Sequence, residues 1–243
     1  MSSSRRLAAA LTAIAAVALI AGCSASPGSS APTSTSAPST QATPDDDRND
    51  MEGAILDEGR MFAVVTYGSS TCIPVVDTVT ADGQTVAVTL ADADGDGDKA
   101  CTADYAPRVS LGALPEGVDP TTEITLTVTY GDVTDDVDLD GDASFTGVPG
   151  STTEYAPSAG WVDDGSLVLL TWGSSSCPPV VESLEGAGAE GTVTFVTDDT
   201  QVCTMDMAPR ATLLAFGDDT VTDDAFTLTM VGGGLDGTVT VRG

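Results

Sequence analysis

Glu123-Ile-Thr-Leu-Thr-Val-Thr-Tyr130 alternates without a break: Ile124, Leu126, Val128 and Tyr130 fall on one side and the threonines on the other. Successive side chains of a strand point to opposite faces, so a period of two with Val and Thr enrichment reads as a half-buried β-strand. Working outward, Thr85-Val-Ala-Val-Thr-Leu90 and Thr192-Val-Thr-Phe-Val196 alternate in the same way, and Phe226, Leu228 and Met230 repeat the pattern of Ile124 to Val128. Met61-Phe-Ala-Val-Val-Thr-Tyr67 and Leu167-Val-Leu-Leu-Thr-Trp172 are strands too, each following an acidic Gly turn, Asp57-Glu-Gly59 or Asp163-Asp-Gly165. No segment beyond the N-terminal leader shows a helical period. The fold class expected is all-β.

The strands come in two sets. Tyr67-Gly-Ser-Ser-Thr-Cys-Ile-Pro-Val-Val76 recurs as Trp172-Gly-Ser-Ser-Ser-Cys-Pro-Pro-Val-Val181. Cys101-Thr-Ala-Asp-Tyr-Ala-Pro-Arg-Val-Ser-Leu111 recurs as Cys203-Thr-Met-Asp-Met-Ala-Pro-Arg-Ala-Thr-Leu213. From Cys101 onward the two copies keep a constant offset, so Gly141 answers to Gly243. An internal repeat of this length marks a duplicated structural unit. The expected organisation is a leader over 1–22, a tether over 23–52, copy one over 53–141, a Gly/Ser/Thr/Pro-rich linker over 142–160 and copy two over 161–243. Each copy is read as a β-sandwich or partly open β-barrel of five or six strands. The two stand in tandem or pair into one larger body.

A module of about 85 residues buries a modest core, and a crosslink then matters. Apart from Cys23 the chain has Cys72, Cys101, Cys177 and Cys203. Four cysteines allow three pairings, and duplication favours the one each copy makes alone: Cys72 with Cys101 and Cys177 with Cys203. Closing a loop of about 30 residues contributes roughly 3–4 kcal/mol in the chain-entropy account.

Disulfides imply an oxidising compartment, and the N-terminus agrees. Arg5 and Arg6 precede an uncharged apolar run that ends Leu19-Ile20-Ala21-Gly22-Cys23. A basic start, a short apolar run and small residues before the break read as a secretory signal peptide. The ending resembles the lipobox of bacterial lipoproteins. That resemblance implies diacylglycerol attachment at Cys23 and a protein held by lipid on the outer face of the cell membrane. Residues 24–44 contain only Ser, Ala, Pro, Gly, Thr and Gln, too little apolar surface to order themselves. About 30 flexible residues give a reach of roughly 30 Å.

The whole chain carries −29 at pH 7, and is more acidic still without its leader arginines. A field of that sign disfavours nucleic acid and anionic headgroups and favours cations, a basic partner or another envelope component. The absence of histidine removes Ser-His-Asp and Cys-His catalysis and imidazole-ligated zinc. Asp92-Ala-Asp94-Gly-Asp96-Gly-Asp98 resembles the opening of an EF-hand loop, which implies calcium as a ligand of Asp92, Asp94, Asp96 and Asp98. The twelfth position is Ala103 rather than Glu, and a solvated acidic turn is the alternative. Ser70 and the lone Lys99 lie at matching distances before Cys72 and Cys101, so a Ser-Lys pair is conceivable in copy one alone. Arg108 and Arg210 each stand four residues after an aspartate, Asp104 or Asp206. Even spacing puts them on one face of a strand, as a structural ion pair or as an anchor for an anionic ligand. Trp161 and Trp172 read as core rather than a carbohydrate platform. No catalytic set emerges. The expectation is a non-catalytic binding or structural module of the cell envelope. The alternatives are a calcium-dependent adhesive domain, or a hydrolase using paired carboxylates or the Ser-Lys pair.

Overall fold

The computed structural model describes residues 50–93, 100–217, 220–223 and 225–243. Copy one contains seven strands: β1 (Glu52–Leu56), β2 (Met61–Gly68), β3 (Pro74–Asp82), β4 (Thr85–Asp92), β5 (Ala106–Ala113), β6 (Ile124–Tyr130) and β7 (Val133–Leu139). Copy two repeats them as β8 (Ser158–Asp163), β9 (Ser166–Gly173), β10 (Val181–Ala187), β11 (Glu190–Phe195), β12 (Ala208–Ala215), β13 (Thr227–Val231) and β14 (Gly237–Arg242). Seven strands per copy exceed the five or six expected. The acidic edge strand β7, Val133-Thr-Asp-Asp-Val-Asp-Leu139, is one that carries too weak an apolar pattern to announce itself.

Each copy is a two-sheet sandwich. In copy one β1-β2-β5 face β3-β4-β6-β7. All neighbours are antiparallel except β4 and β6, which run parallel. Copy two has the same pairs, and its β11 and β13 are parallel. There the two sheets also join where β14 meets β8, at Val241↔Ala159 and Arg242↔Gly160, so this sandwich is a partly closed barrel. The bulge between Val76 and Thr78 recurs between Val181 and Ser183.

The alternation read from the sequence is the alternation of burial. Ile124, Leu126 and Val128 of β6 and Val86, Val88 and Leu90 of β4 fill the core of copy one with Phe62 and Val64. Phe226, Leu228 and Met230, with Leu167, Leu169, Val193 and Phe195, fill that of copy two. The disulfides are Cys72–Cys101 and Cys177–Cys203, with Cα atoms 5.6 and 5.7 Å apart.

A third core lies between the copies. It is built from Ala54, Leu56, Ala63 and Val65 on one side and Val162, Val168 and Leu170 on the other. These are the residues interleaved with the inward-facing ones of β2 and β9: Phe62 and Val64 point into copy one while Ala63 and Val65 point at copy two. Strands β2 and β9 are therefore buried on both faces, as their unbroken apolar runs require. The two three-stranded sheets pack face to face, with β1 and β8 antiparallel, since Asp57 N at the end of β1 donates to Ser158 Oγ at the start of β8, 2.8 Å away.

The connecting residues are fastened to both copies. Gly147 N donates to Glu58 O at 2.7 Å, Thr153 Oγ1 to Asp57 Oδ1 at 3.0 Å, and Arg60 Nε to Ser151 Oγ at 3.2 Å. Phe145 is buried in the first core. The last three linker residues, Ser158 to Gly160, already belong to β8.

Candidate functional site

The two repeated motifs of each copy meet in space. β2 ends at Gly68 and β5 begins at Ala106 beside it, so the loop Ser69 to Ile73 and the loop Cys101 to Tyr105 lie together, with the disulfide across them. Ser69 Oγ lies 2.8 Å from Thr102 Oγ1, Thr102 N donates to Thr71 Oγ1 at 3.1 Å, and Ser70 N donates to both oxygens of Asp104 at 3.3 Å. Thr102 Oγ1 also donates to Asp104 Oδ1. Hydrogen bonds from Ser70 and Thr102 hold the Asp104 carboxyl down at about 2, because each bond favours the charged form.

Copy two repeats the arrangement atom for atom. Ser174 Oγ is 2.7 Å from Thr204 Oγ1, Thr204 N donates to Ser176 Oγ at 3.0 Å, and Ser175 N donates to both Asp206 oxygens at 3.2 Å. Asp206 is likewise lowered to about 2, by Thr204 and then Ser175.

The arginines close each knot from behind. Arg108 is buried, 6 % exposed. Its Nη1 donates to Cys72 O at 2.8 Å and its Nη2 to Tyr67 O at 3.1 Å. Arg210 does the same to Cys177 O at 3.1 Å and Trp172 O at 2.9 Å; burial lowers its pKa. The expected partners, Asp104 and Asp206, are instead taken by Ser70, Thr102, Ser175 and Thr204. Even spacing does not pair them, because β5 and β12 begin at Ala106 and Ala208, after the aspartates, where strand alternation does not yet hold. The hydrogen bonds of the arginines to described residues run to carbonyls, not to carboxylates. Each guanidinium also lies flat on a glycine. A Cβ at Gly68 would fall 2.7 Å from Arg108 Cζ, and one at Gly173 2.8 Å from Arg210 Cζ, which explains the glycine in both copies.

Of the proposed calcium ligands, Asp92 ends β4 and accepts a 2.6 Å hydrogen bond from Tyr130 OH, whose own pKa that bond raises. Asp94, Asp96, Asp98 and Lys99 lie outside the described residues. Trp161 packs edge-on against Phe226, centroids 5.1 Å apart. Trp172 joins the core between the copies and donates through Nε1 to Ala156 O at 3.2 Å. Both are half-buried and pack against a core.

Two features escaped the sequence reading. At the turn after β1, Asp57 and Glu58 have φ of 51° and 56°, left-handed values that non-glycine residues adopt at a cost. Asp57 is buried, its Oδ2 has no partner, and burial raises its pKa. Only Gly59 in Asp57-Glu-Gly59 signalled such a turn. The second is an aromatic exchange. Tyr105 stacks on Tyr67 in copy one, at 5.6 Å. In copy two position 207 is Met, and Tyr155 of the connecting segment covers Trp172 instead, at 5.2 Å.

Between the copies runs a cleft of about 890 Å³ whose walls include Glu52, Asp138, Asp140, Asp163, Asp164 and Asp223. Burial and neighbouring acids, Asp163 first, raise the Glu52 pKa. No family model matches the chain, and neither a curated protein nor a solved structure is significantly similar to it.

Proposed function

We propose that this chain is a membrane-anchored extracytoplasmic lipoprotein, acylated on Cys23, which serves as a non-catalytic binding or structural module of the cell envelope. The observation that carries the non-catalytic part is the use made of the repeated motif. Its cysteines are bridged, its serines and threonines bind each other and an aspartate, and its arginines hold main-chain carbonyls. Among the described residues, the ionisable neighbour of each such serine is a carboxylate with a pKa of about 2, too weak a base to activate it. What was duplicated is a fastening for two loops, and fastenings present surfaces rather than perform reactions.

The address rests on the Leu19-Ile20-Ala21-Gly22-Cys23 ending, the short apolar run before it and the polar tether after it. Cys23→Ala should leave the chain unprocessed or release it into the medium, and radiolabelled palmitate should enter the parent and not the variant. A variant that stays on the membrane at the parental level with its leader removed would refute the anchor. Calorimetry at millimolar calcium and a hydrolase screen separate this reading from its adhesive and enzymatic alternatives.

A further inference from the structure

The two knots are alike inside and unlike outside. Ser69, Ser70, Cys72, Thr102, Asp104 and Arg108 have identical residues in copy two, and all of them face the fastening. The exposed positions of the second loop have changed in one direction: Ala100, Ala103 and Tyr105 correspond to Val202, Met205 and Met207. Met205 is fully exposed at 103 %, Val202 stands at 93 % and Met207 at 59 %. Thr204 and Asp206 turn their side chains to Ser174 and Ser175, so the residues between and beyond them are free to face water. Val180 and Val196, joined by a 2.9 Å backbone hydrogen bond from Val196 N to Val180 O, add two more exposed aliphatic side chains, just before β10 and just after β11. In copy two the ring packed against Trp172 is Tyr155, whereas in copy one Tyr105 packs on Tyr67, and Met207 is an exposed side chain.

Exposed large aliphatics grouped in this way mark an interaction surface. Methionine suits one, because its unbranched thioether adapts to an irregular partner. The charges around the group are of one sign. Asp198, Asp199 and Asp206 lie on the same loops and are exposed, and the nearest arginine, Arg210, spends its guanidinium on Cys177 O and Trp172 O. A second copy of this chain would bring the same acids against them, and an anionic bilayer would be repelled. A partner with basic residues around an apolar patch meets both features.

We propose that the copy-two loop carrying Val202, Met205 and Met207, with Val180 and Val196 beside it, docks a protein segment that presents aliphatic side chains flanked by lysine or arginine. This deepens the binding-module reading and rests on it, but is independent of the lipid anchor.

The test is fluorescence anisotropy with the purified full-length chain. The probes are a labelled peptide of alternating leucine and lysine and an oligolysine of equal charge. The substitutions Met205→Ser and Met207→Ser, made together, leave the charge unchanged and touch no core. They should weaken the leucine-lysine peptide by roughly tenfold or more while oligolysine binding stays as it was. Tyr105→Ser, at the matching place in copy one, should leave both unchanged. Equal affinity for the leucine-lysine peptide in parent and double variant would overturn the proposal and leave a binding module whose surface lies elsewhere. So would a parent that binds that peptide no better than oligolysine. Phosphatidylcholine vesicles that bind the parent and not the double variant would also overturn it, by making the loop a membrane-contacting surface.

Discussion

Leu56→Ala tests whether the two copies are one folding unit. Leu56 is 1 % exposed and sits in the core between the copies, on the copy-one side. Removing three carbons forfeits about 2.4 kcal/mol of transfer free energy, and a cavity that collapses incompletely adds roughly 1 kcal/mol. The expected loss is about 3 kcal/mol, which at a slope near 2 kcal/mol/M moves a urea midpoint by roughly 1.5 M. Both tryptophans, Trp161 and Trp172, belong to copy two, so their fluorescence reports the half of the molecule that was not altered. With the disulfides intact, the tryptophan midpoint and the far-ultraviolet midpoint should fall together by that amount. Leu170→Ala, 0 % exposed on the opposite wall, should do the same. A biphasic far-ultraviolet curve in Leu56→Ala, with the tryptophan midpoint at its parental value, would show that the copies unfold independently and that their shared core contributes little.

Arg108→Met and Arg210→Met keep the apolar stem and remove charge-assisted bonds to two carbonyls each; each should cost roughly 1.5–3 kcal/mol and lower the urea midpoint with little change in slope. Unchanged stability in both variants would make the arginines available for a ligand after all. Asp57→Asn should raise stability at neutral pH. Burial lifts the folded-state pKa of Asp57 above its unfolded value, so the charged form destabilises the fold above that range and the penalty fades as pH falls through the folded pKa; asparagine never carries it and tolerates the left-handed turn. A lower melting temperature at pH 7 would count against this. The Asp104 and Asp206 carboxyls, lowered to about 2, have the opposite sign: their contribution is present above the unfolded aspartate range near ~4 and is lost as pH falls toward 2. The double variant Asp104→Asn, Asp206→Asn should therefore have a flatter stability profile between about pH 4 and 2, and an acid limb as steep as the parent's would exclude the assignment.

The sandwich was legible because one face of most strands meets water. Where that holds, as in Ile124 to Tyr130, the period of two is the period of burial. The core between the copies was present in the sequence as well, as the unbroken runs Phe62-Ala-Val-Val65 and Leu167-Val-Leu-Leu170, because a strand with no polar side must be covered on both faces. The alternating small and large residues of Phe62-Ala63-Val64 divide that run between two different cores, a division no single-strand pattern reveals. The knots were half legible. Repetition picked out every residue in them and the disulfide pairing, since each copy must close its own loop. The partners were hidden because they depend on where β5 and β12 begin. The turn at Asp57-Glu-Gly59 was legible from its glycine, but its strain at Asp57 and Glu58 was not, since what holds it is Thr153 and Gly147 from nearly a hundred residues away.

Those distant contacts bear on how the duplication works. In copy two the corresponding turn, Asp163-Asp-Gly165, keeps left-handed geometry at its glycine alone. In copy one, two consecutive non-glycine residues are left-handed, and the turn persists because the connecting segment supplies its hydrogen bonds and because Arg242 of the last strand reaches across to Asp142 at 3.1 Å and Glu58 at 3.9 Å. Copy one thus depends on residues that follow it and on the final strand of copy two. Cutting after Gly141 would expose Ala54, Leu56, Ala63 and Val65 and strip Asp57 of Thr153 in the same step. The connecting segment therefore belongs to the fold as firmly as any strand: it carries the aromatic ring over Trp172, fixes the turn of copy one, and leaves the copy-two loop free to diverge where copy one could not.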